Sequence, residues 1–102
     1  MAILLRLIQQ FQHAKKSEFM DLEKQFAQLE HRGLIPRGER MTPISGREPG
    51  NTLIWQCRFD SLAAAEEALK EIEASPEHTD LVNRQKHFFT DTWVEFYEVL
   101  DY

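Results

Sequence analysis

The sequence predicts an α+β fold in which a four-stranded antiparallel sheet carries helices on one face. The main evidence is a strand that runs straight into a helix. Residues 52–59 alternate as a strand does, and at Asp60 and Ser61 the apolar period changes to that of a helix. Segments 2–12 and 90–100 also have the composition of strands, and amphipathic stretches lie between the strands. These observations predict the order βαββαβ, with an extra short helix before the last strand.

The first strand, residues 2–12, has apolar side chains on both faces, which indicates that both faces are covered. Arg6 interrupts its apolar run, and no cleavage pattern of small residues follows, so a signal peptide is not expected. Ser17 is the predicted N-cap of the first helix, and Gly33 stands where a left-handed C-cap residue is required. That helix should bury an apolar stripe made of Phe19, Leu22, Phe26 and Leu29. It should expose a polar stripe to water, made of Glu23, Lys24, Gln28 and Glu30.

Residues 34–51 differ from the rest of the chain, because they hold three of the four prolines and all the glycines except Gly33. A short strand is predicted at 40–45, at a sheet edge or a bulge because Pro43 lacks an N–H donor. Two interpretations of residues 34–51 are considered. The segment is either an anion-binding loop or a mobile surface hairpin, and the hairpin is favoured because acidic residues accompany its arginines, Arg37, Arg40 and Arg47.

The strand at residues 52–59 divides its side chains between two faces. One face holds the larger side chains, Leu53, Trp55, Cys57 and Phe59, and is expected to lie under the helices. Asp60 or Ser61 should cap the second helix, whose apolar stripe is Leu62, Ala65, Leu69 and Ile72. Ser75 and Pro76 then begin a third helix at 76–87, since proline suits the first helical position. It should bury Leu81, Val82 and Phe88.

The order of elements matches the split β-α-β arrangement called ferredoxin-like. Right-handed crossovers place strands one and three in the centre, strand four beside one and strand two beside three, with the helices on one face. The open face would then carry Leu4, Ile8, Ile54, Val94, Phe96 and Leu100. Such a face is too apolar for water, so we expect a homodimer with its sheets face to face. Polar residues interrupt the face and are the candidate interface or barrel lining: Arg6, Gln56, Arg58 and Glu98.

Composition and charge limit the classes of function. One domain over residues 1–102 is expected, and the single cysteine, Cys57, indicates a reducing cytoplasm. Residues 1–58 hold nine Lys/Arg against six Asp/Glu, whereas residues 59–102 hold three against eleven. The acidic half argues against nucleic-acid binding, and no segment is long and apolar enough for a membrane. The asymmetry indicates either opposite-charged faces that meet in an oligomer or simply solvated helix faces.

The run WQCRFDSLAAAEEALKEIEASPEH, from Trp55 to His78, resembles the C-terminal core of NIPSNAP-like domains of the dimeric α+β barrel superfamily. In those domains an arginine-aromatic-aspartate-serine-leucine run leads from a strand into an alanine-rich helix. Arg58, Phe59, Asp60, Ser61 and Leu62 form that run here, with Phe59 where tyrosine is common. The resemblance implies a homodimeric α+β barrel more firmly than it implies a reaction.

The candidate chemistry is a small aromatic or apolar ligand bound between sheet and helices. Cys57 is expected to pack in the core, where burial would raise its pKa. The four histidines share no metal-ligand spacing, so neither a metal nor a cofactor is expected. The candidate pocket residues are Trp55, Phe59, His87, Phe88 and Trp93, with Phe89 as a further aromatic wall.

The superfamily resemblance also implies an alternative, a small monooxygenase of the antibiotic-biosynthesis or haem-degrading type. His87 would then be a base or an axial ligand, although strand one has Arg6, Gln9 and Gln10 where those enzymes typically have asparagine. The two functions predict different interiors. A monooxygenase requires a cavity of several hundred cubic ångströms reached by His87 or Arg58. A non-catalytic or ligand-binding dimer predicts a tightly filled space, with His87 on the surface.

Overall fold

A computed structural model describes residues 2–102. Over these residues the chain forms four strands and three α-helices, and short 3-10 turns at His13–Lys15 and Lys86–Phe88 precede the first helix and follow the third. In chain order the elements are β1 Ala2–Phe11, α1 Lys16–His31, β2 Glu39–Met41, β3 Thr52–Phe59, α2 Leu62–Ala74, α3 Pro76–Gln85 and β4 Phe89–Val99. The predicted order of elements is confirmed.

The sheet has the strand order β2-β3-β1-β4, with every neighbouring pair antiparallel. The α+β, ferredoxin-like arrangement predicted from the sequence is therefore confirmed, including the central position of β1 and β3. Leu7 of β1 lies opposite Trp55 of β3 and Val94 of β4. Because directly paired residues share a face, these three side chains lie on the side that carries the helices. The larger side chains of β3 are on the predicted face.

The phase of β4 was predicted wrongly. Its register pairs Phe96 with Leu5 and Glu95 with Arg6, so Val94, Phe96 and Glu98 lie on the helix side. The open face instead carries Trp93, Glu95, Tyr97 and Val99. Both alternating sets of β4 contain large apolar side chains, so its hydrophobic pattern alone does not distinguish one face from the other.

The predicted helix boundaries are confirmed at three of four capping residues. Gly33 has φ +77°, and the N–H groups of Gly33 and Leu34 donate to the carbonyls of Glu30 and Leu29, which is a Schellman motif. The hydroxyls of Ser61 and Ser75 accept from the backbone N–H groups of the first turns of α2 and α3. The prediction for Ser17 was wrong, because a 3-10 turn leads directly into α1 at Lys16.

The core has two apolar clusters on the helix side of the sheet. One joins α1 to α3 through Leu22, Phe26, Leu29, Ile35 and Leu81. The other closes the end of the sheet, where the Phe19 ring stacks on Phe11 with a centroid separation of 4.5 Å beside Leu53. Phe19 is fully buried. The first cluster thus fixes α1 against α3, and the second fixes the start of α1 against β1 and β3.

The segment between β2 and β3 is hydrogen-bonded to the last residues of β1. Asn51 donates its side-chain amide to the carbonyl of Phe11 at 2.7 Å, and Gln10 donates to Glu48 at 3.5 Å. The β2 strand is an edge strand, as predicted, but it is shorter and ends at Met41, two residues before Pro43. Within residues 2–102, no helix is long and apolar enough to cross a membrane.

Candidate ligand cavity

A cavity of about 320 Å³ lies between the helix side of the sheet and the three helices. Its sheet side is formed mainly by three strands, which contribute Leu5, Leu7 and Gln9 of β1, Trp55 of β3, and Phe89, Thr92 and Val94 of β4. The helices contribute both apolar and polar side chains to the wall. The lining from the helices comprises Glu23, Phe26, Glu30, Leu69, Ile72, Glu73, His78, Val82 and Gln85.

Arg40 organises the polar part of the cavity wall. It lies opposite Trp55 in the β2–β3 pairing and therefore faces the helices. Its Nε donates to Oε2 of Glu23 at 2.8 Å, and its Nη2 donates to Oε2 of Glu30. The two glutamates are seven residues apart, about two turns of α1, so they share a face and one guanidinium reaches both.

Other donors complete the hydrogen bonding of the two carboxylates. Oε1 of Glu30 accepts from the backbone N–H of Gly38 at 2.9 Å and from Nε1 of Trp55 at 3.3 Å. Oε1 of Glu23 accepts from Nε2 of Gln85 at 2.7 Å. Every carboxylate oxygen therefore has a donor, which is the condition under which two glutamates can be buried to 5% exposure. The cluster of Glu23, Glu30 and Arg40 carries a formal charge of −1.

The guanidinium of Arg40 stays charged in this environment. Burial by itself would lower the pKa of Arg40, but the hydrogen bonds and charges of Glu30 and Glu23 outweigh it and raise the pKa above its ordinary value. Because Arg40 is held by two carboxylates, the sequence-based hypothesis of an anion-binding loop loses one of its three arginines. Arg37 and Arg47 remain exposed.

His78 and Cys57 are both affected by burial near Glu30. Burial lowers the pKa of His78, which lines the cavity with its ring 5.2 Å from that of Phe26, and the charge of Glu30 only partly opposes this. Burial also raises the pKa of the Cys57 thiol, with a further contribution from Glu30. The Sγ of Cys57 donates to the carbonyl of Arg37 at 3.3 Å. The thiol is thus protonated, as predicted.

Gly38 is required for the position of Trp55. A Cβ atom at residue 38 would overlap the indole ring of Trp55. The same glycine donates its N–H to Glu30, so backbone and indole approach one carboxylate together. A glycine just before a short edge strand is the sequence signal for such a close approach, although its partner cannot be read from the sequence.

The structure brings together few of the predicted pocket residues. Trp55 lines the cavity, and Phe88 is partly buried against both core clusters without lining it. Phe59 is on the helix side, opposite Ile3, outside the cavity lining. His87 is exposed, and its carbonyl accepts from Nε2 of Gln12. The additional aromatic Phe89 does line the cavity.

Trp93 lies on the opposite face of the sheet, beside Ile8, and donates its Nε1–H to Glu95 at 2.9 Å.

The interior combines features of both predicted functions. A cavity of several hundred cubic ångströms is present, as a monooxygenase requires. His87 is nevertheless on the surface, and neither His87 nor Arg58 lines the cavity.

The predicted polar interface group is divided between the two faces. Arg6, Gln56 and Arg58 lie on the open face, whereas Glu98 lies on the helix side. Glu95, rather than Glu98, is paired with Arg6: Nη1 of Arg6 lies 3.9 Å from Oε1 of Glu95. Glu95 also accepts from the hydroxyl of Tyr97 at 2.7 Å. This bond and the one from Trp93 lower the pKa of Glu95.

The sequence-based assignment missed the two glutamates that matter most. Glu23 and Glu30 were expected to face water, but both are buried against the cavity. Their spacing contained a signal, because Glu23 is four residues after Phe19 and Glu30 four after Phe26, so each extends the apolar stripe of α1. Within residues 2–102, no group of three His, Cys, Asp or Glu side chains is arranged to hold a metal ion.

These features define a class: a ferredoxin-like α+β domain with a cavity between its sheet and its helices. Several solved structures share this fold. A NIPSNAP family protein from Agrobacterium tumefaciens superposes with a TM-score of 0.83 at 13% identity, over 99% of this chain and 88% of that chain. An uncharacterized NIPSNAP domain protein from Burkholderia xenovorans gives 0.77 at 17% identity, over 98% and 95% of the two chains.

A proposed antibiotic biosynthesis monooxygenase from Nitrosomonas europaea also matches, with a TM-score of 0.72 at 7% identity over 97% of this chain and 90% of that chain. No protein-family model matches the sequence, and no curated protein does. At such low identities the matches show a shared fold. The resemblance to NIPSNAP-like domains is confirmed at that level.

Proposed function

We propose that this chain binds a small, mostly apolar or aromatic molecule in the cavity between sheet and helices. The observation that supports this is the cavity itself, whose volume of about 320 Å³ is within the range of small-molecule sites. The space is partly open to solvent, so a ligand can enter it. A space of this size, with apolar walls and a few fixed polar groups, therefore has the composition of a binding site.

Binding is tested with N-phenyl-1-naphthylamine, a neutral dye whose emission rises in apolar surroundings. Leu69 of α2 lines the cavity, so Leu69→Trp should fill part of it and lower the affinity for the dye at least about tenfold. Leu62→Trp is the control, because Leu62 is on the same helix, 46% exposed and outside the lining. Equal affinity in the two variants, or no dye binding to the native chain, would refute the proposal.

The second candidate is a monooxygenase, and one observation favours it. Gln9 of β1 is buried and lines the cavity, so a side-chain amide stands on strand one where a substrate oxygen can reach it. Such an enzyme would use O₂ to convert an activated ring CH₂ of a polycyclic phenol to a carbonyl, with the second oxygen atom leaving as water. Oxygen uptake in the presence of anthrone, above the rate of a Gln9→Leu variant, would support it. Uptake equal to that of buffer would exclude it.

We further propose that a second copy of the chain covers the open face of the sheet. Tyr97 is 45% exposed on this face, next to the partly exposed Leu4. Beside them the Nε of Arg6 is buried and has no hydrogen-bond partner within residues 2–102. The Arg6 side chain as a whole is 29% exposed, so the outer part of its guanidinium can contact a second subunit. Light scattering at micromolar concentration measures the mass, and a monomer would refute the dimer.

A further inference from the structure

We infer that the ligand of this cavity carries a protonated amine on its apolar body. The inference rests on the proposed small-molecule function and names the chemical class of its ligand. The evidence is the charge of the lining, the hydrogen bonds already made by Arg40, and an unpartnered buried amide, that of Gln9.

The cavity lining has an excess of negative charge. It contains three carboxylates, those of Glu23, Glu30 and Glu73, but Arg40 is its one arginine or lysine. His78 also lines it, and since burial lowers the pKa of His78 the imidazole is neutral at neutral pH. Glu23 and Glu30 are buried whereas Glu73 is exposed, and charges shielded from water interact more strongly than charges in water. The lining thus attracts a cation and repels a carboxylate or a phosphate.

Arg40 has its positive charge already more than balanced by two carboxylates. Its Nε and Nη2 already donate to Glu23 and Glu30. The carboxylates retain acceptor capacity, because an ionised carboxylate offers about four lone-pair sites. Glu23 accepts two hydrogen bonds, from Arg40 and from Gln85. A ligand N–H group can therefore bind to Glu23 without displacing either protein donor.

Gln9 provides independent evidence for a polar ligand. The residue is 4% exposed and lines the cavity, its side chain makes no hydrogen bond to any of residues 2–102, and its amide atoms are accessible from the cavity. Buried polar side chains in proteins are rarely left without partners. The amide oxygen of Gln9 is an acceptor for a second N–H of a ligand, and its NH₂ group is a donor. A purely hydrocarbon ligand would leave this amide unpaired.

The test compares three probes with the same phenylpropyl body, 3-phenylpropylamine, 3-phenylpropanol and 3-phenylpropionate. Trp55 lines the cavity and Trp93 lies on the other face, so in a Trp93→Phe variant the fluorescence of Trp55 reports occupancy. The amine should bind at least about tenfold tighter than the alcohol, the effect of one charge-assisted hydrogen bond, and the carboxylate should bind more weakly than the alcohol. Calorimetry on the native chain checks the affinities.

Two matched variants on α2 separate a local charge effect from a general one. Glu73→Gln removes a lining carboxylate and should weaken amine binding about threefold while leaving alcohol binding unchanged. Glu71→Gln makes the same change at an exposed residue outside the lining and should alter neither. A carboxylate or alcohol that binds as tightly as the amine would overturn the inference and leave the proposed function standing. If no probe binds but the neutral dye does, the inference also fails; if the dye fails as well, both fail.

Discussion

Arg40 is the side chain on which the polar wall of the cavity depends. It joins the edge strand β2 to α1 by bonding to Glu23 and Glu30, whose side chains are only 6% and 2% exposed. Removing one partner of a buried ion pair is far more damaging than removing one on the surface, because the remaining charge stays buried without compensation. Loss of Arg40 should therefore lower the free energy of unfolding more than loss of a surface arginine does.

Arg40→Met should lower the free energy of unfolding by about 3–5 kcal/mol, since it leaves two buried carboxylates without their shared cation. Urea denaturation monitored by circular dichroism measures the change. Arg84→Met is the matched control: Arg84 pairs with Asp80 at 3.5 Å in an exposed i,i+4 bridge, and its loss should cost less than about 1 kcal/mol. Similar losses in the two variants would mean that the cluster around Arg40 is no stronger than a surface pair.

A second prediction at this scale concerns pH. Because burial lowers the pKa of His78 below its ordinary value of 6.5, the unfolded chain binds a proton there more readily than the folded chain. Stability from this group is present above pH 6.5 and is lost as the pH falls from 6.5 to the lowered value. The melting temperature of His78→Gln should therefore fall less between about pH 7 and pH 5 than that of the native chain. His31→Gln, at an exposed site on α1, should follow the native curve.

At the scale of elements, the sequence predicted what depends on local backbone chemistry. Gly33, Ser61 and Ser75 end or begin helices as expected, because a left-handed residue and an N-cap oxygen are local requirements. The phase of β4 and the burial of Glu23 depended on partners distant in sequence, namely β1 and Arg40. Where both faces of a strand are apolar, or a glutamate extends an apolar stripe, periodicity does not decide which side is buried.

Gly33→Ala tests the C-cap of α1. The residue has φ +77°, and no atom lies within 4 Å of the position that an added Cβ would occupy, so the expected loss of about 1–2 kcal/mol comes from backbone strain alone. Gly46→Ala is the control: that position is equally open and is outside the positive-φ region, so the change should be neutral or slightly stabilising. Thermal melts of both variants provide the comparison. Equal melting temperatures would show that the Schellman turn adjusts without strain.

At the scale of the whole molecule, the two faces of the sheet differ in how they are covered. The helix side contains the cavity, whereas the open side has Tyr97 together with the Arg6–Glu95 pair. The acidic residues of α2 and α3 are all exposed, and only Glu73 among them lines the cavity. They fit the interpretation that the charge asymmetry of the chain is a solvated helix surface. The residues available for a second subunit are those of the open face.

Adjacent residues of β4 allow a direct test of which face mediates assembly. Tyr97 and Phe96 are each 45% exposed but point to opposite sides of the sheet. If the open face is the interface, Tyr97→Lys buries a charge between the subunits and should yield a monomer by light scattering at micromolar concentration. Phe96→Lys places the same charge on the helix side and should leave the dimer intact. The reverse result, a dimer with Tyr97→Lys and a monomer with Phe96→Lys, would assign the interface to the exposed helix-side edge of β4 instead.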